Sequence, residues 1–255
     1  MTGYIPTSKF FYISLSTKIS KKMTTIASYK MHDEYITRFL DILGAIIGLI
    51  LSSVLFLIIP ILIKLDSKGS VLYTQLRIGR NLRRRDSGRI ESDLFKIHSD
   101  GDRRKSIAYG KPFFVYKFRT MKDGAEKKCG PILASENDPR ITRIGRILRC
   151  NYLDKLPQLI NILKGDMSFV GPKPERPHLV NQFANQIPAY VERFNVRPGL
   201  TGLAQVKAGS GYDLEDVKEK LDYDLAYCKE GNLKSYFSIL FLTLVQSLSL
   251  RKEIR

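Results

Sequence analysis

Cysteine and histidine are both scarce in this chain of 255 residues, with three of each. Cys129, Cys150 and Cys228 are widely spaced and match neither a zinc pattern nor a CxxC redox pair, so no disulfide framework is implied and they read as reduced cytosolic thiols. Cys150 stands close to the basic stretch discussed below, but no histidine dyad accompanies it, which argues against a thiol nucleophile. No internal repeat is visible, and the length suits one domain with extra segments rather than several domains. Acidic residues are also in short supply: 25 Asp+Glu face 42 Lys+Arg, a net charge of +17. Such an excess suits partners that carry phosphate, whether nucleic acid, an anionic membrane surface or a nucleotide. No nucleic-acid reading motif accompanies the charge, so a nucleic-acid partner is not expected.

What the chain does have is a long apolar run. From Ile42 to Ile63 roughly 22 residues carry no charge, enough at ~1.5 Å per residue to cross a hydrocarbon core of ~30 Å. The run begins some forty residues in and lacks a small-residue cleavage site, unlike a signal peptide. Lys18, Lys21, Lys22, Lys30 and Arg38 precede it, while Lys64, Lys68, Arg77 and Arg80 are among the cations that follow. Two basic flanks favour a helix that enters the bilayer and turns back over one that spans it. Pro60 and the Ser52-Ser53 pair are available to break it.

The division that follows is a polar arm (1–34), a membrane helix (35–66) and a cytoplasmic body (67–255) with an inserted basic loop (82–111). The fold class is α/β, a small membrane-associated globular domain with interfacial amphipathic helices. Val71–Thr74 and Phe113–Tyr116 are rich in β-branched and aromatic residues and predict a pair of short strands. RITRIGRILR after Asp138-Pro139 has isoleucines at helical spacing. A second helix is expected to start near Asp154 and end at Gly165, with Pro157 in its first turn. After the proline-rich GPKPERP turn come a short helix around Ile187–Phe194 and the Arg197-Pro198-Gly199 turn. Asp213–Tyr227 is charged and helical, and Leu233–Leu250 is apolar enough to cover the core or lie at an interface.

A helix start attracts anions through its free N–H groups and dipole. The segment from Arg140 to Arg197 surrounds the expected start with Arg143, Arg146, Arg149, Lys164, Lys173 and Arg197, a plausible pyrophosphate pocket. Asp154, Asp166 and Glu175 are its acids. A carboxylate such as Asp154 can attack phosphorus; on spacing alone it is explained as well by helix capping, worth ~1 kcal/mol.

Four segments carry a resemblance: RFLDILGA with its apolar run and IKLDSKGSVLYTQLRIGR; FFVYKFRTM; RCNYLDKLPQLINILKGDMSFVGPKPE; and VRPGLTGLAQV. Together they resemble the bacterial sugar transferase family, the monotopic phosphoglycosyl transferases. The resemblance implies a re-entrant helix and a body on the cytoplasmic face of the inner membrane. It also implies magnesium-assisted ping-pong transfer of a sugar 1-phosphate from a UDP-sugar to polyprenyl phosphate, at the start of polysaccharide or glycoconjugate synthesis. The implied partners are these two substrates and membrane lipids, with a homo-oligomer left open.

By the same likeness Asp154 is the nucleophile with Lys155 beside it, and Lys117, Arg119, Arg149, Lys173 and Arg197 contact phosphate or nucleotide. The family usually carries Asp-Glu where this chain has Asp154-Lys155, which puts the Mg2+ site in question and leaves its ligands unassigned. A lysine there either neutralises phosphate in place of a metal or marks a weakened, regulatory member. Lys173 stands where the family has arginine, keeping the charge but losing the bidentate fork. Ser53-Val54 stands where Ser-Pro is common, leaving Pro60 to supply a break.

Overall fold

The computed structural model describes residues 33–81, 109–125, 138–208, 211 and 213–253. Nearly all of the expected arm and most of the 82–111 loop, with Cys129, lie outside the described residues.

The apolar run folds as two helices, α1 (Asp33–Leu51) and α2 (Ser53–Asp66), bent by 60° at Ser52. Among the described residues no single helix is long and apolar enough to cross a membrane, but this bent pair passes by length and composition. Ser52 makes the break: its hydroxyl and its N–H both donate to the Gly48 carbonyl, at 2.5 and 3.0 Å. A serine hydroxyl that bonds back to the i−4 carbonyl, alongside the backbone N–H, bends a helix at that point. Pro60, the other candidate, lies inside α2 without interrupting it.

Strands form at both expected places: β1 (Leu72–Ile78) starts one residue after Val71 and runs on past Thr74, and β2 (Pro112–Phe118) covers Phe113–Tyr116; the two pair antiparallel. The pairing sets Tyr73 opposite Lys117, Gln75 opposite Val115 and Arg77 opposite Phe113, so these side chains share one face. The basic amphipathic stretch becomes α3 (Arg143–Cys150), with Thr142 as N-cap accepting from the Gly145 N–H at 3.0 Å. Gly145 lies so close to the end of β2 that a Cβ there would sit 2.0 Å from the Thr120 carbonyl oxygen.

The expected second helix is displaced. Leu153–Lys155 is a separate 3-10 turn and α4 (Gln158–Lys164) begins after Pro157. Proline lacks the N–H a preceding helix would use and disfavours helical backbone at the residue before it, so the segment splits there. Gly165, with φ 82°, ends α4 as expected.

Four elements were not foreseen: the parallel pair β3 (Ser168–Val170) and β4 (Gly199–Thr201), α5 (Pro177–Gln186) and the short helix at Leu203–Lys207. A 3-10 helix at Pro188–Asn195 matches the short helix expected there, followed by α6 (Leu203–Lys207), α7 (Leu214–Glu230) and α8 (Leu233–Glu253). The α/β expectation therefore holds only as a mixture of helix and strand. Among the described residues the sheets are two-stranded and helices dominate.

Both legs of the bent pair are tied to the body. On α1, Arg38 donates to the carbonyls of Ile162 and Leu163 at the end of α4, at 2.6 and 2.8 Å. Asp41 accepts from Ser168 Oγ, the Phe169 N–H and the Tyr236 hydroxyl at 2.9–3.0 Å. At the far end of α2, Asp66 accepts from the Ile144 N–H at 3.0 Å. Apolar packing follows the same lines: Ala45 joins Phe113, Val115, Leu159 and Ile162, while Ile59 and Ile63 join Phe118 and Leu148. The outer face is left bare, with Ile50, Leu51, Leu57 and Leu65 all more than 60% exposed.

Candidate active site

Asp154 lies in the 3-10 turn just after Tyr152, which takes a left-handed backbone (φ 57°), the sole positive φ outside glycine among the described residues. For a residue with a Cβ this conformation is costly and calls for a reason. It reverses the chain between α3 and α4 and leaves Asp154 buried at 8% exposure.

Three cations bear on that carboxylate. Lys117 arrives from β2, Lys155 from the same turn and Arg149 from the last turn of α3, and each lowers the Asp154 pKa. Burial outweighs them and holds it above the ordinary carboxylate value. The lysines show the converse. Burial pulls Lys117 down to about 8 despite Asp154, and the nearby Arg77, Lys155 and Lys173 push the same way. Lys155 is also lowered by burial, with Asp154 opposing and Lys173 adding to the shift.

The supports of these groups are specific. Arg149 Nε donates to Thr120 Oγ1 at 2.8 Å, using the close approach that Gly145 permits. The Lys155 ammonium sits 4.9 Å from the centre of the Tyr152 ring, within cation–π range. Asn161, fully buried on α4, pairs with β2 as a strand would: its amide oxygen accepts from the Tyr116 N–H at 3.0 Å and its NH2 donates to the Phe114 carbonyl at 2.7 Å. That double bond sets β2, which carries Lys117, against the helix that follows Asp154.

Lys173 is brought to the edge of this group by a tightly fastened loop. Arg193 donates to its carbonyl at 2.9 Å and pairs with Asp224 at 2.7 Å, and Arg77 donates to the Pro174 carbonyl at 2.9 Å. Arg77 also pairs with Glu175 at 3.3 Å and Lys173 reaches the same carboxylate at 3.9 Å. The role of Arg77 was not anticipated.

Two of the expected residues stand elsewhere. The Arg119 guanidinium is committed to the Ser67 and Lys68 carbonyls at 2.6 and 2.7 Å, tying β2 to the end of α2. Arg197 lies in a cleft of about 530 Å³ whose lining includes Glu34, Arg80 and Asn232 but not Asp154, Lys117 or Lys155. There Glu34 pairs with Arg80 and also with Arg197 at 3.5 Å. Cys150 is exposed and uninvolved.

Sequence comparison bears on what this arrangement is for. The family model described as bacterial sugar transferase matches residues 32–89 and 94–249, passing over only four residues of the expected basic insertion. The chain belongs to the bacterial sugar transferase family. It is 37% identical over 82% of its length to a UDP-N-acetylgalactosamine-undecaprenyl-phosphate N-acetylgalactosaminephosphotransferase of Aeromonas hydrophila. It is 35% identical over 80% to a UDP-glucose:undecaprenyl-phosphate glucose-1-phosphate transferase of Escherichia coli K12. It is 33% identical over 85% to the exopolysaccharide production protein PSS of Rhizobium leguminosarum. The chain spans 43% and 38% of the first two relatives and 97% of the third.

A magnesium ion, which membership in the family suggests, needs oxygen ligands, commonly one or two carboxylates together with substrate phosphates. Around Asp154 the donor set is one carboxylate among ammonium and guanidinium groups. Among the described residues no group of three His, Cys, Asp or Glu could hold a metal. These residues do not fit a divalent cation.

Proposed function

We propose that this family member transfers a sugar 1-phosphate from a UDP-sugar to undecaprenyl or a similar polyprenyl phosphate through a covalent intermediate on Asp154. The observation that carries the reading is a buried carboxylate flanked by Lys117, Lys155 and Arg149. An oxygen of Asp154 attacks the phosphorus attached to the sugar, and the bond from that phosphorus to the bridging oxygen breaks. UMP leaves with the electron pair. The polyprenyl phosphate then attacks the same phosphorus, forming the lipid diphosphate sugar and returning the aspartate. Partial desolvation raises the ground-state energy of the carboxylate, and the cations favour the charge gathering on the phosphoryl oxygens.

The bent α1–α2 pair supplies the lipid contact in this reading. Its bare apolar face enters one leaflet and turns back at Ser52, leaving the Asp154 turn beside the cytoplasmic surface where a lipid phosphate lies. The test is UMP release in detergent with polyprenyl phosphate and a panel of UDP-sugars. Turnover by the wild type that disappears in Asp154→Asn is the expected result; undiminished turnover by Asp154→Asn overturns the role of this residue.

A further inference from the structure

We infer that Lys155, with Lys117 and Arg149, supplies the positive charge that a divalent cation would otherwise bring to Asp154, so that the substrate diphosphate is held and cleaved without a metal ion. The inference rests on the reading of Asp154 as nucleophile. It starts from an imbalance of charge. Elsewhere in the body the cations near the site lie within ion-pair distance of an acid: Arg77 and Lys173 share Glu175, Arg193 has Asp224 and Arg140 has Asp138. Lys117, Lys155 and Arg149 form no such ion pair among the described residues; what they share is Asp154, since β2 and α3 both pack against the 3-10 turn that carries Asp154 and Lys155. Three cations about one carboxylate leave two positive charges unbalanced, the charge of one divalent ion.

The geometry favours anchored charges over mobile surface ones. Arg149 is fixed by Thr120, Lys155 rests on the Tyr152 ring, and Lys117 is half-buried on a strand held by Asn161. A cation partly removed from water interacts strongly with an incoming phosphate, because less screening solvent intervenes. A dication entering the same space would be repelled by all three and would find a single carboxylate to bind.

In the transfer step the bond from Asp154 oxygen to phosphorus forms while the bond from phosphorus to the bridging oxygen breaks. The electron pair departs on the UMP phosphate. The Lys155 ammonium stabilises that developing charge through a hydrogen bond and keeps its proton, so atoms and charge balance without a metal or an added base. The same ammonium holds the acceptor phosphate in the second half-reaction.

The test compares wild type, Lys155→Glu and Lys155→Met as full chains in detergent, with polyprenyl phosphate and UDP-sugars, in excess EDTA and then in excess Mg2+. Wild type is expected to keep its rate within about twofold in EDTA. Lys155→Glu, which places two carboxylates side by side, is expected to be silent in EDTA and to gain at least tenfold with Mg2+. Lys155→Met should lose activity in both. A wild-type rate that falls tenfold in EDTA and returns with Mg2+ overturns the inference. Mn2+ binding, read by paramagnetic resonance with UMP present, gives an independent result. Wild type should retain no more Mn2+ than UMP alone, and stoichiometric retention overturns the proposal. If no UDP-sugar yields UMP, the transferase reading fails and this inference falls with it; stoichiometric Mn2+ retention by a protein that does release UMP overturns this inference alone.

Discussion

The cations near Glu175 and Asp224 each lie within ion-pair distance of an acid, whereas those around Asp154 stand further from it. Arg193, buried and bound to Asp224, the Tyr190 hydroxyl and the Lys173 carbonyl, is part of the framework, because its loss would leave the buried Asp224 without this guanidinium. Lys117, Lys155 and Arg149 instead face a single carboxylate whose own pKa is raised, an arrangement that costs the folded protein stability until an anion arrives. Matched charge holds shape, and unmatched charge awaits a ligand.

The contrast is broken most severely by removing Asp154. Asp154→Asn should lower UMP release by at least about 10³-fold, ~4 kcal/mol of barrier. A raised carboxylate pKa means that stability falls as pH rises from the unfolded value toward the folded one, so charged Asp154 destabilises the protein at neutral pH. Asp154→Asn removes that cost but also the anion that supports charged Lys117 and Lys155, so the two effects oppose and thermal melts should show little change in Tm. Arg193→Met reverses the pattern: it should cost about 3–5 kcal/mol in urea unfolding, because Asp224 is left buried without its partner. A mild loss there would erase the distinction between the two regions.

Asn161→Leu comes next. It strands the Tyr116 N–H and the Phe114 carbonyl and should cost about 2 kcal/mol or more, with a reduced turnover as Lys117 loses its backing. The smallest effect is one of pH. With Lys117 held to about 8, kcat/KM should fall as pH rises through that value and the ammonium is lost. Stability should move the other way, rising between about 8 and the unfolded lysine value, since there the unfolded chain binds more protons. Lys117→Arg should push the alkaline limb upward, and a limb that stays in place would assign it to another group.

Much of this was legible along the chain. Val71–Thr74 and Phe113–Tyr116 announced their strands through β-branched and aromatic side chains, and the isoleucines of α3 repeated at helical spacing, because both patterns depend on neighbours close in sequence. The parallel pair β3–β4 is three residues a side and joins segments some thirty residues apart, too short for any periodicity. Pro60 and the Ser52-Ser53 pair were both candidates for the break, with Pro60 expected to supply it where Val54 follows Ser53. The bend fell at Ser52, whose hydroxyl and N–H both turn onto the Gly48 carbonyl, while α2 runs on through Pro60.

The sequence by itself determined a basic protein with one long apolar run, a resemblance to sugar transferases and Asp154-Lys155 as the pair to watch. Composition and short motifs suffice for these, since they need no knowledge of what lies across the fold. Only the tertiary structure decided which cations are free to act. Lys117 lies 37 positions before Asp154, yet β2 brings it to the carboxylate, while Arg119, two residues on, is turned away onto the Ser67 and Lys68 carbonyls. Arg197, equally basic in sequence, is paired with Glu34 in another cleft. A charge acquires its role from its distance to other charges and from the solvent between them, and both are settled by the packing of segments remote in the chain.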